Sequence, residues 1–88
     1  MNRIPIRSKE IIWRNLEGEA VLLNPQTGKY FGINEVGCSF WEKVDGKKSI
    51  ADIIDLLLNE YDVERKTLEN DINELVAAME KQNIVIYS

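Results

Sequence analysis

The spacing of hydrophobic positions along this chain changes once, near residue 34. Before it, short apolar runs are separated by turn-forming residues; after it, apolar residues recur every three or four positions. Glu10–Asn15 (EIIWRN) is rich in β-formers, and Leu16-Glu17-Gly18 reads as a short turn ending in glycine. Glu19–Asn24 (EAVLLN) is the second predicted strand. Its uninterrupted Ala20-Val21-Leu22-Leu23 run predicts a central strand covered over much of both faces. Pro25-Gln26-Thr27-Gly28 predicts a turn, because proline fixes φ early and glycine accepts a positive φ later. Lys29–Ile33 (KYFGI) is the third strand. Short connections make neighbouring strands antiparallel, so a meander is expected.

In the second half, Asn34 is placed to cap a helix, with Glu35 in its first turn complementing the helix dipole. Val36, Phe40, Trp41 and Val44 follow at helical spacing, and Asp45-Gly46 ends that helix. Ser49 caps the next, with Asp52 three positions on in a variant of the capping box. Ile50, Ile53, Ile54, Leu57, Leu58 and Tyr61 form its broad apolar stripe. A longer helix runs from about residue 64 to 82, with Leu68, Ile72, Leu75, Val76 and Met79 on one side. Ile84–Tyr87 is expected either as a short final strand or as an extended tail. The predicted fold class is α+β: a three-stranded antiparallel β-meander followed by three α-helices, in a winged helix-turn-helix-like arrangement. A single domain is expected over residues 10–88, preceded by a loosely ordered N-terminal arm over residues 1–9.

Composition narrows the function. Of 88 residues, 44% are hydrophobic and 30% charged, the proportions of an ordinary single-core domain. A net charge of −4, with no Lys/Arg cluster, argues against nucleic acid or an anionic membrane as partner. No window approaches the roughly 18 apolar residues of a transmembrane helix, and the first residues lack a signal-peptide core. A cytoplasmic location is therefore expected, in keeping with a lone cysteine, Cys38, that cannot form an internal disulfide. The chain has no histidine, one cysteine cannot build a thiolate cluster, and Gly28, Gly32 and Gly37 lack phosphate-loop spacing. The reading is of a non-enzyme that needs no cofactor and no metal.

Three stretches carry a family resemblance: Gly18–Asn24 (GEAVLLN), Thr27–Gly37 (TGKYFGINEVG), and Phe40-Trp41 followed by Asp45-Gly46. Together they resemble the PqqD family, which includes the peptide chaperone of pyrroloquinoline quinone biosynthesis and the recognition elements of ribosomally made, modified peptides. The resemblance covers roughly residues 10 to 85. It implies a winged-helix-like domain in which the leader peptide of a precursor adds as a strand beside Lys29–Ile33, its other side lying against about Arg65–Met79. It also implies a separate modifying enzyme as partner, such as a radical SAM protein or a leader protease. The tail Gln82-Asn83-Ile84-Val85 departs from the Gly-Leu ending frequent in relatives.

The residue chemistry suits that role. In a meander the third strand is an edge, and natural edges are usually defended by proline, inward charges or bulges. Lys29–Ile33 has no proline, and its one charge sits at its end, so it can template an added strand. Gly32 either admits a close-approaching chain, relieves a clash with the first helix, or marks a bulge. Alternation puts Tyr30 and Gly32 on one face and Phe31 and Ile33 on the other; we take the latter pair as inward. On the long helix, Ile72 and Val76 are core by default, and Leu68, Asp71, Leu75 and Ala78 flank them. The expected peptide-binding set is thus Lys29, Tyr30, Phe31, Gly32, Ile33, Leu68, Asp71, Ile72, Leu75 and Ala78. Asp71 and Glu74 are further expected as acid partners for a basic peptide residue. Trp13, Phe40, Trp41 and Cys38 read as core.

A winged helix is also a DNA-reading scaffold, so a transcriptional regulator is the competing function. Against it, residues 64–82 carry Glu64, Glu69, Asp71, Glu74 and Glu80 but only Arg65, Lys66 and Lys81, an excess of acid that phosphates would repel.

Overall fold

The computed structural model describes residues 3–87, so the first two residues of the expected arm and the last of the expected domain lie outside the described residues. Its elements in order are β1 (Pro5–Arg7), β2 (Ile12–Leu16), β3 (Glu19–Asn24), β4 (Lys29–Ile33), α1 (Glu35–Lys43), α2 (Ile50–Glu60), α3 (Arg65–Lys81) and β5 (Val85–Tyr87). β2, β3 and β4 form an antiparallel meander in that spatial order, and the three helices follow, as expected for the fold class.

The register Leu16↔Glu19 leaves Glu17 and Gly18 as a two-residue loop with φ of 53° and 86°. Positive φ at both positions is the requirement of a type I′ hairpin, whose twist matches that of the strands it joins. The loop is therefore shorter than the three-residue turn expected, and β2 gains Leu16. Along β3, Ala20, Leu22 and Asn24 are buried while Val21 and Leu23 are half-buried. The helices cover one face of the sheet only. The other carries Ile12, Leu16 and Tyr30, exposed to 59%, 52% and 71%, so the expectation of a strand covered on both faces is corrected.

Local chemistry sets the helix ends. Asn34 Oδ1 accepts from the Gly37 amide at 2.9 Å, capping α1. Ser49 and Asp52 form a reciprocal capping box on α2, both bonds at 3.1 Å. At the end of α3, the amides of Asn83 and Ile84 donate to the carbonyls of Glu80 and Met79, and Asn83 takes a left-handed φ of 60°. That is a Schellman motif with asparagine standing where glycine is commonest, and buried Ile84 and Met79 make its usual hydrophobic pair. The Gln82–Val85 tail noted in the sequence therefore closes α3 with a regular helix-ending turn.

Phe40, Trp41, Ile53, Ile54, Leu57, Ile72 and Met79 are almost wholly removed from water against Leu22 of the sheet. Full burial of one such side chain contributes about 1.5–3 kcal/mol, so this cluster dominates the stability of the fold.

Where a loosely ordered arm was expected, Pro5–Arg7 forms β1 and pairs antiparallel with β5, in the register Pro5↔Tyr87, Ile6↔Ile86 and Arg7↔Val85. Arg7 fastens it. Its guanidinium lies 4.6 Å from the Trp41 ring centroid and 5.3 Å from that of Trp13, and it donates to the Trp41 carbonyl. The two indoles meet edge to face, 6.3 Å apart. Burial pulls the Arg7 pKa below its ordinary value, with Glu42 opposing, and the side chain stays cationic at neutral pH.

Candidate functional site

β4 is the outer strand of the meander, and no strand among the described residues pairs with its free edge. In an antiparallel ladder, residues turn their N–H and C=O groups alternately toward and away from the partner strand. Along five residues, the groups of two or three therefore point away from β3, which is room for about four to six hydrogen bonds to an added strand.

Beside that edge runs a cleft of about 570 Å³, walled by Phe31, Gly32, Ile33 and Asn34 on the strand side and by Asp71, Ile72, Glu74, Leu75 and Ala78 of α3 on the other. Its floor is the first turn of α1, through Val36 and Gly37. The walls are apolar apart from Asn34 and two carboxylates, and no basic side chain lines it. An extended chain laid here would meet backbone groups on one side and an apolar helix face on the other.

Two features hold the walls in place. Gly37 is buried, and a Cβ built on it would stand 3.0 Å from Ile33 Cβ, 3.3 Å from Asn34 Oδ1 and 3.5 Å from a Leu75 methyl. Only a glycine backbone lets α1 sit this close to both β4 and α3. At the other end, buried Asn24 bonds through its side-chain oxygen, its side-chain nitrogen and its carbonyl. Its Oδ1 accepts from the Gln26 amide at 3.0 Å, its carbonyl accepts from the Gly28 amide at 2.8 Å, and its Nδ2 donates to the Gln82 carbonyl at 3.2 Å. The β3–β4 hairpin is thereby tied to the end of α3.

With this geometry in hand, sequence comparison decides the family. The family model described as coenzyme PQQ synthesis protein D (PqqD) matches residues 19–85. The chain belongs to the PqqD family. Among solved structures similar to this PqqD-family domain is TbiB1 in complex with the TbiA(beta) leader peptide, 31% identical over 91% of this chain and 93% of that one, with a TM-score of 0.81. Another is lasso peptide synthetase B1 complexed with the leader peptide, 26% identical over 94% of this chain and 98% of that one, with a TM-score of 0.80. No curated protein matches the sequence.

Of the side chains singled out in the sequence of this PqqD-family domain, Phe31, Gly32, Ile33, Asp71, Ile72, Leu75 and Ala78 come together in the cleft. Lys29 stands just beyond it, beside Lys81 and Gln82. Tyr30 points to the opposite face of the sheet, among Ile12, Leu16, Val21 and Leu23. Leu68 does not reach the cleft: it is 2% exposed, one turn before Ile72 and on the same core-facing side. A Cβ on Gly32 meets nothing within 4 Å, so this glycine relieves no clash with α1. Val36, Gly37 and Asn34 lie outside the expected set, where they figure as part of a helical stripe, of the family motif and of the helix cap. The available signal was Gly37 itself, a helix-weakening residue in a first turn that adjoins an open strand.

No helix among the described residues is long and apolar enough to cross a membrane. Nor do three or more His, Cys, Asp or Glu side chains among them group where they could hold a metal ion. Cys38 is buried, and burial together with Glu42 pushes its thiol above the ordinary value, away from the reactive thiolate.

Proposed function

We propose that this PqqD-family domain binds the leader segment of a ribosomally synthesised precursor peptide as an added strand on β4 and presents it to a separate modifying enzyme, such as a radical SAM protein or a leader protease. The observation that carries the reading is the unpaired edge of Lys29–Ile33 facing α3 across an apolar cleft. The description of two relatives as leader-peptide complexes supports it. Main-chain bonds along the edge supply affinity whatever the leader's sequence, at about 0.5–1.5 kcal/mol net each. Anchors pressed on Phe31, Leu75 and Ala78 supply selectivity. Ordering the peptide opposes both, which places the dissociation constant between high nanomolar and low micromolar.

In this reading the domain performs no chemistry; the modifying enzyme does. The competing function as a DNA-binding regulator is disfavoured by the charge of α3, where Glu69, Asp71, Glu74 and Glu80 outnumber Arg65, Lys66 and Lys81.

The test is a titration with a precursor leader whose backbone amides are N-methylated one at a time. Strand addition predicts that methylation at alternate residues of the bound stretch abolishes binding while the intervening positions tolerate it. Amide resonances of residues 29–33 should shift only with peptides that bind. Uniform tolerance of N-methylation, or shifts confined to other elements, would refute the proposal.

A further inference from the structure

The long walls of the cleft end in opposite charges. Lys29 shares the inward side of β4 with Phe31 and Ile33, and with Lys81 it borders a hollow of about 280 Å³ next to the cleft. Asp71 and Glu74 line the cleft on the α3 stretch that leads into Leu75, which meets Ile33 and Asn34 around Gly37, away from Lys29 and Lys81. None of these four side chains takes part in an ion pair among the described residues. The pairs there are Arg3–Glu80, Lys43–Glu60, Lys48–Asp45, Arg65–Asp55 and Arg65–Glu69. The two walls also agree in length. From Lys29 to Ile33 the strand spans about 13 Å, and from Asp71 to Lys81 the helix spans about 15 Å.

We propose that this polarity selects a leader segment with a basic and an acidic side chain four residues apart and fixes which way round it lies. The inference rests on the leader-capture reading above. Side chains of an added strand that face α3 recur at every second position, so two charges engaging opposite ends of the cleft fall at i and i+4. The residue between them, at i+2, meets Phe31, Leu75 and Ala78 and is apolar. An antiparallel strand, the more stable pairing, runs from the Ile33 end toward the Lys29 end. The N-terminal member is then basic, against Asp71 and Glu74, and the C-terminal member acidic, against Lys29 and Lys81. The favoured pattern is basic–x–apolar–x–acidic, and the reversed order sets like charges against each other at both ends.

The test uses short synthetic peptides of one composition carrying the two charges in either order around a central leucine, plus a neutral peptide with both replaced by glutamine. Each is titrated against the wild-type domain, an Asp71→Asn/Glu74→Gln variant and a Lys29→Gln/Lys81→Gln variant, with amide shifts of residues 29–33 as the second readout. All four altered side chains are exposed, so folding is retained. At low salt the basic-first order should bind the wild type about threefold to tenfold more tightly. That preference should shrink in each variant and fade at high salt. Equal affinities of the two orders, with shifts still in 29–33, would overturn the polarity and leave leader capture standing. A preference for acidic-first would overturn the stated direction. Failure of all three peptides to bind would overturn capture, and this inference with it.

Discussion

The side-chain amide of Asn24 donates to the Gln82 carbonyl at 3.2 Å, across 58 positions of sequence. One residue thus closes the β3–β4 turn and anchors the end of the helix that forms the far wall of the cleft. Asn24→Ala strips the exposed Gln26 amide and the half-buried Gln82 carbonyl of their partner, two part-buried hydrogen bonds at once. A loss of about 1–3 kcal/mol is expected, read as a lowered urea midpoint at unchanged slope. Leader affinity should fall as well, because α3 is freed to drift from β4. An unchanged midpoint would show that Asn24 merely fills space.

Gly37→Ala sets two effects against each other. Alanine favours the helix by up to about 1 kcal/mol over glycine. The added methyl, however, stands 3.0 Å from Ile33 Cβ, an atom fixed to the β4 backbone that cannot swing aside. Overpacking costs about 1–3 kcal/mol, and it prevails. The variant should be less stable and should bind leader more weakly, since Ile33 and Leu75 are both displaced. A stabilised variant with undiminished binding would contradict the tight approach of α1.

Arg7→Ala should reduce stability by about 1–3 kcal/mol, through lost cation–π contacts on two indoles and the uncovering of Trp41. Arg7→Met, which keeps the apolar stem, should recover part of the loss. Tryptophan fluorescence should shift to the red in Arg7→Ala, reporting water at Trp41. Identical spectra and midpoints for both variants would mean that β1 docks without help from Arg7.

Much of this was legible in the residues, for physical reasons that can be named. β3 and β4 announced themselves because Pro25 and Gly28 punctuate two apolar runs, and α1 and α2 because Asn34, Ser49 and Asp52 are caps that work through local hydrogen bonds. Local causes leave local signals. The pairing of β1 with β5 has none: each is three residues long, they stand at opposite ends of the chain, and only their contact makes either a strand. The stripe on α3 was readable, but a 3.6-residue period gives the direction of a face and not where its rim ends. Leu68 and Leu75 both belong to that stripe, yet only Leu75 reaches the cleft, because α1 and β4 lie opposite its half of the helix. The close packing at Gly37 was hidden for a similar reason, since it depends on two elements distant in sequence.

The ladder Pro5↔Tyr87 has a practical corollary. Antiparallel partners lie only about 5 Å apart, so polypeptide leaving either side does so from a common doorway. A graft at the front and a graft at the rear would hold this domain at nearly the same pivot. A circularly permuted version, joined there by a short bridge and reopened elsewhere on the surface, should keep its architecture intact.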